Sequence, residues 1–373
     1  LEPCRLGKIE PMNKPKLRYV EAFPVEVEGQ RLVCLRDPQN LSGKMIFLPP
    51  EALYIVSRFD GKHTVLDIQE SFMRQFGRLV FRDEVEKLID QLDEALFLDS
   101  ENYRDFRRKF EEEFTNSGVR ESSHAGLSYP LELREIEKWL DDFFEKAEES
   151  HPKNPEPGEI RGLISPHIDL RRGGRSYALA YRELADACES DTFIIFGTSH
   201  YADVENPFIL SKKNFRTPFG EVETDTEFVE KLIAKCNWNL FEGEIFHRQE
   251  HSIEFQIVFL QYLFREKRRF RIVPILCNSF FRMIQNGHSP RQDQRVSSFL
   301  GAIEEATSSL GKRAFVIAGA DLAHVGLKFG DRNPVNQSTL RWIKERDMVS
   351  LTHAECLDAE RFFDSIKEEK DER

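Results

Sequence analysis

Thr192-Phe193-Ile194-Ile195-Phe196-Gly197-Thr198-Ser199-His200 is the stretch on which the fold turns. An unbroken apolar run of this length, rich in Ile and Phe and closed by Gly, predicts a strand covered on both faces. The same texture returns at Gly162–Pro166, Phe208–Leu210, Ile272–Leu276 and Ala314–Ala318. Between these runs, helices are predicted at Gly174–Leu184, Asp225–Lys235, Ser252–Phe264, Gln294–Ser309 and Gln337–Thr352. Strands alternating with helices predict an α/β domain whose central sheet is mostly parallel or mixed, with helices on both faces.

Three of the predicted strands end in polar residues that can ligate. They are Ser165-Pro166-His167-Ile168-Asp169, Gly197-Thr198-Ser199-His200 and Gly319-Ala320-Asp321-Leu322-Ala323-His324. In open α/β sheets the carboxyl ends of the strands face one crevice, where ligands bind. Imidazoles brought together there suit a transition metal, and a neighbouring carboxylate suits iron, zinc or manganese. Taken singly, a histidine at a strand end reads first as a structural or surface residue; several in one α/β domain bring the site reading level with it. A fourth segment, Glu250-His251-Ser252, precedes an apolar helix and belongs at its N-terminus, where a histidine can serve as a general acid or base. No HExxH, GxGxxG or Walker pattern is present. Gly173-Gly174 is therefore not read as a phosphate cradle. Arg171, Arg172 and Arg175 read as a solvated edge or one facing a substrate carboxylate, and Lys267-Arg268-Arg269 as a solvated loop.

Ahead of this domain, residues 20–100 form a block of their own. A hairpin is expected about Gly29-Gln30, a short helix after Pro49-Pro50, and a second helix capped by Thr64. A third is expected from about Asp83 to Leu96, with Val85, Leu88, Ile89 and Leu92 on one face. Short strands with three small helices suggest a winged-helix-like unit. Residues 101–117 read as a helical linker, Leu133–Ala147 as a further helix, and the proline-rich Ser150–Gly158 as a loop.

Composition narrows the function. Lys and Arg number 53 against 65 Asp and Glu, a net charge of −12, and 40% of residues are hydrophobic. That balance supports packed cores and argues against wrapping duplex nucleic acid. Over 21–100 the count is 9 basic against 15 acidic residues, which disfavours DNA for the small block and favours a peptide or protein partner. No apolar run is long enough to span a membrane, and no secretory signal is read. The six cysteines lack CxxC spacing and read as reduced thiols, so the expected location is the cytoplasm. The 31 phenylalanines are assigned to core packing.

The ordered motifs Arg120-Glu121-Ser122-Ser123-His124-Ala125-Gly126, Ser165-Pro166-His167, Gly197-Thr198-Ser199-His200, Arg216-Thr217-Pro218-Phe219-Gly220, Glu250-His251-Ser252-Ile253-Glu254 and Asp321-Leu322-Ala323-His324-Val325-Gly326 resemble the Memo family, protein B of the AmmeMemoRadiSam system. The resemblance implies a domain over 118–373 with the fold of class III extradiol dioxygenases, non-haem iron enzymes. It implies a divalent metal, iron in the first place with copper or zinc as alternatives. Family ligands fall on His167 and His200, and the third ligand position on Ala323, which has no donor atom. Asp321, His324 or His251 would have to supply what Ala323 lacks. The general base falls on His251, with Glu250 beside it, and His124, Asp169 and Ala323 would line the substrate pocket. An AMMECR1-like protein and a radical SAM enzyme are the implied partners, and relatives carry a closing segment beyond the position of Arg373. More weakly, the first block is similar to PqqD-like peptide-recognition domains, which hold a peptide along a strand edge. The rival reading is a non-catalytic adaptor that uses the same pocket for a peptide or protein segment.

Overall fold

A computed structural model describes residues 12–39, 41–148, 160–202, 204–329 and 331–370, without the side chains of 186 and 328. The loop expected at Ser150–Gly158 lies outside the described residues, as does Cys4. The chain divides into two compact units, Leu1–Asn116 and Ser117–Arg373.

In the first unit, β1 (Glu21–Val27), β2 (Gln30–Arg36) and β3 (Met45–Leu48) form an antiparallel sheet in that order. Helices α1 (Pro50–Val56), α2 (Val65–Phe76), α3 (Arg82–Glu94) and α4 (Glu101–Asn116) follow. Thr64 caps α2 as its sequence suggests: its hydroxyl accepts the Asp67 N–H at 3.2 Å and the Asp67 carboxylate accepts the Thr64 N–H at 2.8 Å. Val85, Leu88, Ile89 and Leu92 line the buried face of α3 against Leu35, Ile55, Ile68 and Phe72. The stretch expected as a linker is mostly α4 and falls within this unit.

The second unit opens with β4 (Val119–Arg120), α5 (Leu133–Glu148), β5 (Gly162–Ser165), α6 (Leu170–Ala187), β6 (Thr192–Thr198) and β7 (Phe208–Leu210). The hairpin β8 (Asn214–Thr217) and β9 (Gly220–Thr224) leads to α7 (Thr226–Lys235), α8 (His251–Phe264), β10 (Arg271–Cys277), α9 (Phe281–Asn286), α10 (Gln294–Ser309) and β11 (Ala314–Gly319). Helices α11 (Gln337–Glu355) and α12 (Ala359–Glu368) follow. The sheet runs β4-β8-β9-β10-β6-β11-β5, with β7 added to β10. Pairings β9–β10, β10–β6, β6–β11, β11–β5 and β4–β8 are parallel, and β8–β9 and β7–β10 are antiparallel. This is an α/β fold with a mixed, mostly parallel central sheet.

The apolar run Thr192–Thr198 is β6, an interior strand paired on both sides by β10 and β11. Its side chains alternate between faces, as a strand requires. Phe193 and Ile195 pack with Tyr177, Tyr181, Phe259 and Phe264 of α6 and α8. Ile194 packs the other way, against Phe228 and Leu232 of α7 and Phe299 of α10. Each fully buried Phe or Ile contributes about 1.5–3 kcal/mol over an exposed one. A single polar substitution in this run would therefore disrupt one of the two layers. Gly173 and Gly174 lie in the first turns of α6. The five described cysteines are free thiols, and no described helix is long and apolar enough to cross a membrane.

Candidate metal centre

Strands β5, β6 and β11 lie side by side and parallel, so the segments after their carboxyl ends emerge at one edge of the sheet. His167 follows β5, His200 follows β6, and Asp321 follows β11. The N-terminus of α8 reaches the same place because two strand-end glycines leave room for it. A Cβ on Gly197 would stand 2.5 Å from Ser252 Oγ, and one on Gly319 would stand 3.1 Å from the Ser252 carbonyl. The Ser252 hydroxyl then donates to the Thr198 carbonyl at 2.9 Å and pins α8 to β6.

One nitrogen each from His167, His200 and His251 lies within 4.8 Å of the others, forming a three-histidine group able to hold a metal ion. The rings of His200 and His251 stack with centroids 4.8 Å apart, and those of His167 and His200 meet at 5.0 Å. Hydrogen bonds decide which nitrogen each ring offers. His167 Nδ1 lies 3.2 Å from the Gly319 carbonyl, which can only accept, so Nδ1 carries the proton and Nε2 the lone pair. His200 Nδ1 lies 3.0 Å from Glu250 Oε1 and donates to it in the same way. The Nδ1 of His251 is 3.2 Å from the same oxygen. A carboxylate behind an imidazole fixes its tautomer and raises its basicity, as around bound metals generally.

Glu250 is itself firmly held. It is the N-cap of α8, and its Oε1 accepts the N–H of His251 at 2.9 Å and of Ser252 at 3.1 Å. Its Oε2 accepts the His200 N–H at 3.1 Å. Burial alone would raise its pKa, but the His200 hydrogen bond and the two neighbouring imidazoles outweigh burial and bring it down to about 2. His251 moves to about 4, chiefly because burial disfavours its cation. Burial likewise lowers His167 despite the charge of Asp321. At His200 burial opposes the proton, yet the hydrogen bond and charge of Glu250 prevail and raise the pKa. A donor set of three imidazoles with a fixed outer carboxylate fits zinc, copper or iron.

The remaining residues named from sequence sit around this group. Asp321 is beside it: Oδ1 accepts the His167 N–H at 2.9 Å, and Oδ2 is 3.9 Å from His167 Nε2. His324 stays outside it, with Nδ1 3.0 Å from the Leu322 carbonyl and its ring against Phe329. Ala323 lines the adjoining cavity of about 990 Å³, together with His124, Asp169, Arg171 and Arg172. Asp169 also caps α6, accepting the Arg171 N–H at 2.9 Å.

A second layer was not read from the sequence. Glu254 is buried on α8, where Arg120 and Tyr129 donate to it along with the N–H groups of Ser123 and His124, each at 3.0 Å. Arg120 also donates to the carbonyls of His247 and Glu250 at 2.9 and 2.8 Å. This ion pair ties β4 to both ends of the Glu250 segment. The signal was available, since a carboxylate within an otherwise apolar buried helix must have a cationic partner. The Ser123 hydroxyl accepts from Arg120 at 2.9 Å and lies 3.1 Å from Glu254. Donating to that anion, it is left to accept from His124 Nδ1, 2.8 Å away, so the lone pair of His124 is on Nε2.

The Memo-like protein family model matches residues 120–372, which include every element described around these histidines. The chain is 31% identical over 338 residues to a MEMO1 family protein of Aquifex aeolicus, covering 91% of this chain and 82% of that protein. It is 28% identical over 288 residues to a MEMO1 family protein of Thermus thermophilus, covering 77% of this chain and 79% of that one. A MEMO1 family protein of Methanosarcina mazei shares 30% identity over 207 residues, covering 55% of this chain and 67% of that protein. With one match running from the Arg120 of the buried ion pair past all three histidines, the chain belongs to the Memo family.

Proposed function

We propose that this Memo-family chain is a metal-dependent oxidoreductase of the extradiol-dioxygenase type, holding a divalent ion through His167, His200 and His251. The observation that carries the reading is the convergence of three imidazoles, two of them backed by the single carboxylate of Glu250, on a cavity of about 990 Å³. His251, cast by the resemblance as a base, is read here as the third ligand because Ala323 has no donor. Iron is the first choice, with copper or zinc as alternatives. When bound, such an ion would supply Lewis acidity and, for iron or copper, redox chemistry. Glu250 would orient two of the rings, and Asp321 would hold the His167 segment. His124 would accept a hydrogen bond from the substrate at Nε2.

The test is metal analysis of anaerobically purified full chain, followed by oxygen consumption with candidate substrates. The reading expects near-stoichiometric metal, and uptake that disappears in His200→Ala. Metal well below stoichiometric after loading with iron, copper and zinc would overturn it. Ala323 favours one second reading, a non-catalytic adaptor, which predicts peptide binding that survives both chelation and His200→Ala. Under either reading the proposed partners are an AMMECR1-like protein and a radical SAM enzyme, checked by co-purification. The edges of β1 and β3, unpaired among the described residues of the acidic first unit, support a proposed peptide ligand there, held by strand addition in a winged-helix-like, PqqD-like domain of a cytoplasmic protein.

A further inference from the structure

The end of the sheet away from the histidines carries a second concavity, of about 670 Å³, at the N-terminal ends of β6 and β10 and the turn before β11. One length of β6 separates the two, about 20 Å at the rise of a strand. Although the chain has a net charge of −12, this wall gathers Arg265, Arg268, Arg269, Arg271 and Lys312.

Most of the charge in the wall is already matched. Lys312 donates to Asp225 at 2.7 Å, Arg271 lies 3.4 Å from Glu223, and Arg265 is paired with Glu137. Glu221 accepts from Asn214 at 2.8 Å and from Arg216 at 3.0 Å. Two guanidinium groups remain, against the one carboxylate of Asp191. Arg269 is exposed and makes no side-chain hydrogen bond or ion pair among the described residues. Arg268 is more unusual. Its Cζ lies 4.2 Å from the centroid of the Phe264 ring, and its Nε and Nη2 are shut away from water with no acceptor. The sequence reads Lys267-Arg268-Arg269 as a solvated loop. The segment is indeed the connection between α8 and β10, but Arg268 lies folded onto an aromatic ring with donors unmatched.

A guanidinium donates only, and its planar fork fits two oxygens of one oxyanion. The volume is in the range of small-molecule pockets, and two adjacent guanidinium groups, faced by the single carboxylate of Asp191, leave an excess positive charge that suits a phosphate. We propose that this cavity is a binding site for a small phosphate-bearing molecule, with Arg268 turning from Phe264 to give its fork to the phosphate and Arg269 closing over it. The site is independent of the metal centre and of any reading of its chemistry.

Inorganic phosphate is the probe, added to the full chain stripped of metal and followed by calorimetry and by thermal unfolding, with chloride and acetate at matched ionic strength. The expected result is saturable phosphate binding that acetate does not reproduce. It should weaken about tenfold or more in Arg268→Gln and less in Arg268→Lys, which keeps the charge but loses the fork. Binding should persist unchanged in His200→Ala. Phosphate affinity equal in wild type and in folded Arg268→Gln would overturn the proposal, as would binding lost in His200→Ala but kept in Arg268→Gln. Should Arg268→Gln fail to fold, Arg269→Gln decides on the same criterion.

Discussion

Glu250 Oε1 lies 3.0 Å from Nδ1 of His200, and the same oxygen accepts the first two backbone N–H groups of α8. A helix cap and the outer support of a ligand are thus one carboxylate. Glu250→Gln keeps much of the cap but removes the charge behind His200 and His251. Zinc or iron affinity, measured by competition with a chelator, should fall roughly 10–100-fold with little change in the fold. Unchanged affinity would show that the carboxylate does not support the ligands.

The ion pair of Arg120 and Glu254 is fully buried. Arg120→Met leaves an uncompensated carboxylate inside the domain, and urea unfolding should report a loss of about 3–5 kcal/mol. Adding Glu254→Leu should recover only part of it, because Tyr129, Ser123 and His124 also donate to Glu254. A single-variant loss under about 1 kcal/mol would contradict the buried pairing.

His247 is buried with Nε2 donating to the Ile209 carbonyl at 3.0 Å, and burial pushes its pKa from 6.5 down to about 4. The unfolded chain takes up a proton near 6.5 that the folded chain refuses. Its stabilising contribution is therefore complete above that pH and is lost as pH falls from 6.5 toward 4. The loss should reach about 3 kcal/mol for this group, read as the drop in unfolding free energy between neutral and acidic buffer. His247→Gln should flatten the slope in that window, and an identical slope in both chains would count against it.

Gly197 sets how closely α8 approaches β6. In Gly197→Ala the new carbon would meet Ser252 Oγ at 2.5 Å and Ile253 Cγ1 at 2.6 Å. Thermal unfolding should show a loss of about 1–3 kcal/mol, and metal binding should weaken as His251 is pushed from His200. Adding Ser252→Ala removes the nearest atom and should restore part of both. A fully metal-competent Gly197→Ala would mean that α8 can shift without disturbing the group.

Much of the second unit was legible in advance because its strands and helices announce themselves locally. β6 is an apolar run flanked by other such runs, and α10 occupies Gln294–Ser309 as its periodicity indicates. The hairpin of β8 and β9 was not read as strands, since Asn214–Thr217 and Gly220–Thr224 are short, polar and partly exposed. The two pair with each other across Pro218-Phe219, and the hairpin is held in the sheet by β4 and β10, contacts that neighbours in sequence do not encode.

The same division holds for the site. Local pattern is enough to put His167, His200 and Asp321 at strand ends and His251 at a helix start. Folding in three dimensions is what groups His167, His200 and His251, sets Asp321 beside them, and leaves His324 on the wall of the same cavity against Phe329, outside the group. Periodicity is a property of residues a few positions apart. Convergence depends on β5, β11 and β6 lying adjacent, on Gly197 and Gly319 admitting α8, and on a buried Arg120–Glu254 pair anchoring it. Those are contacts between distant segments, and packing in three dimensions creates them.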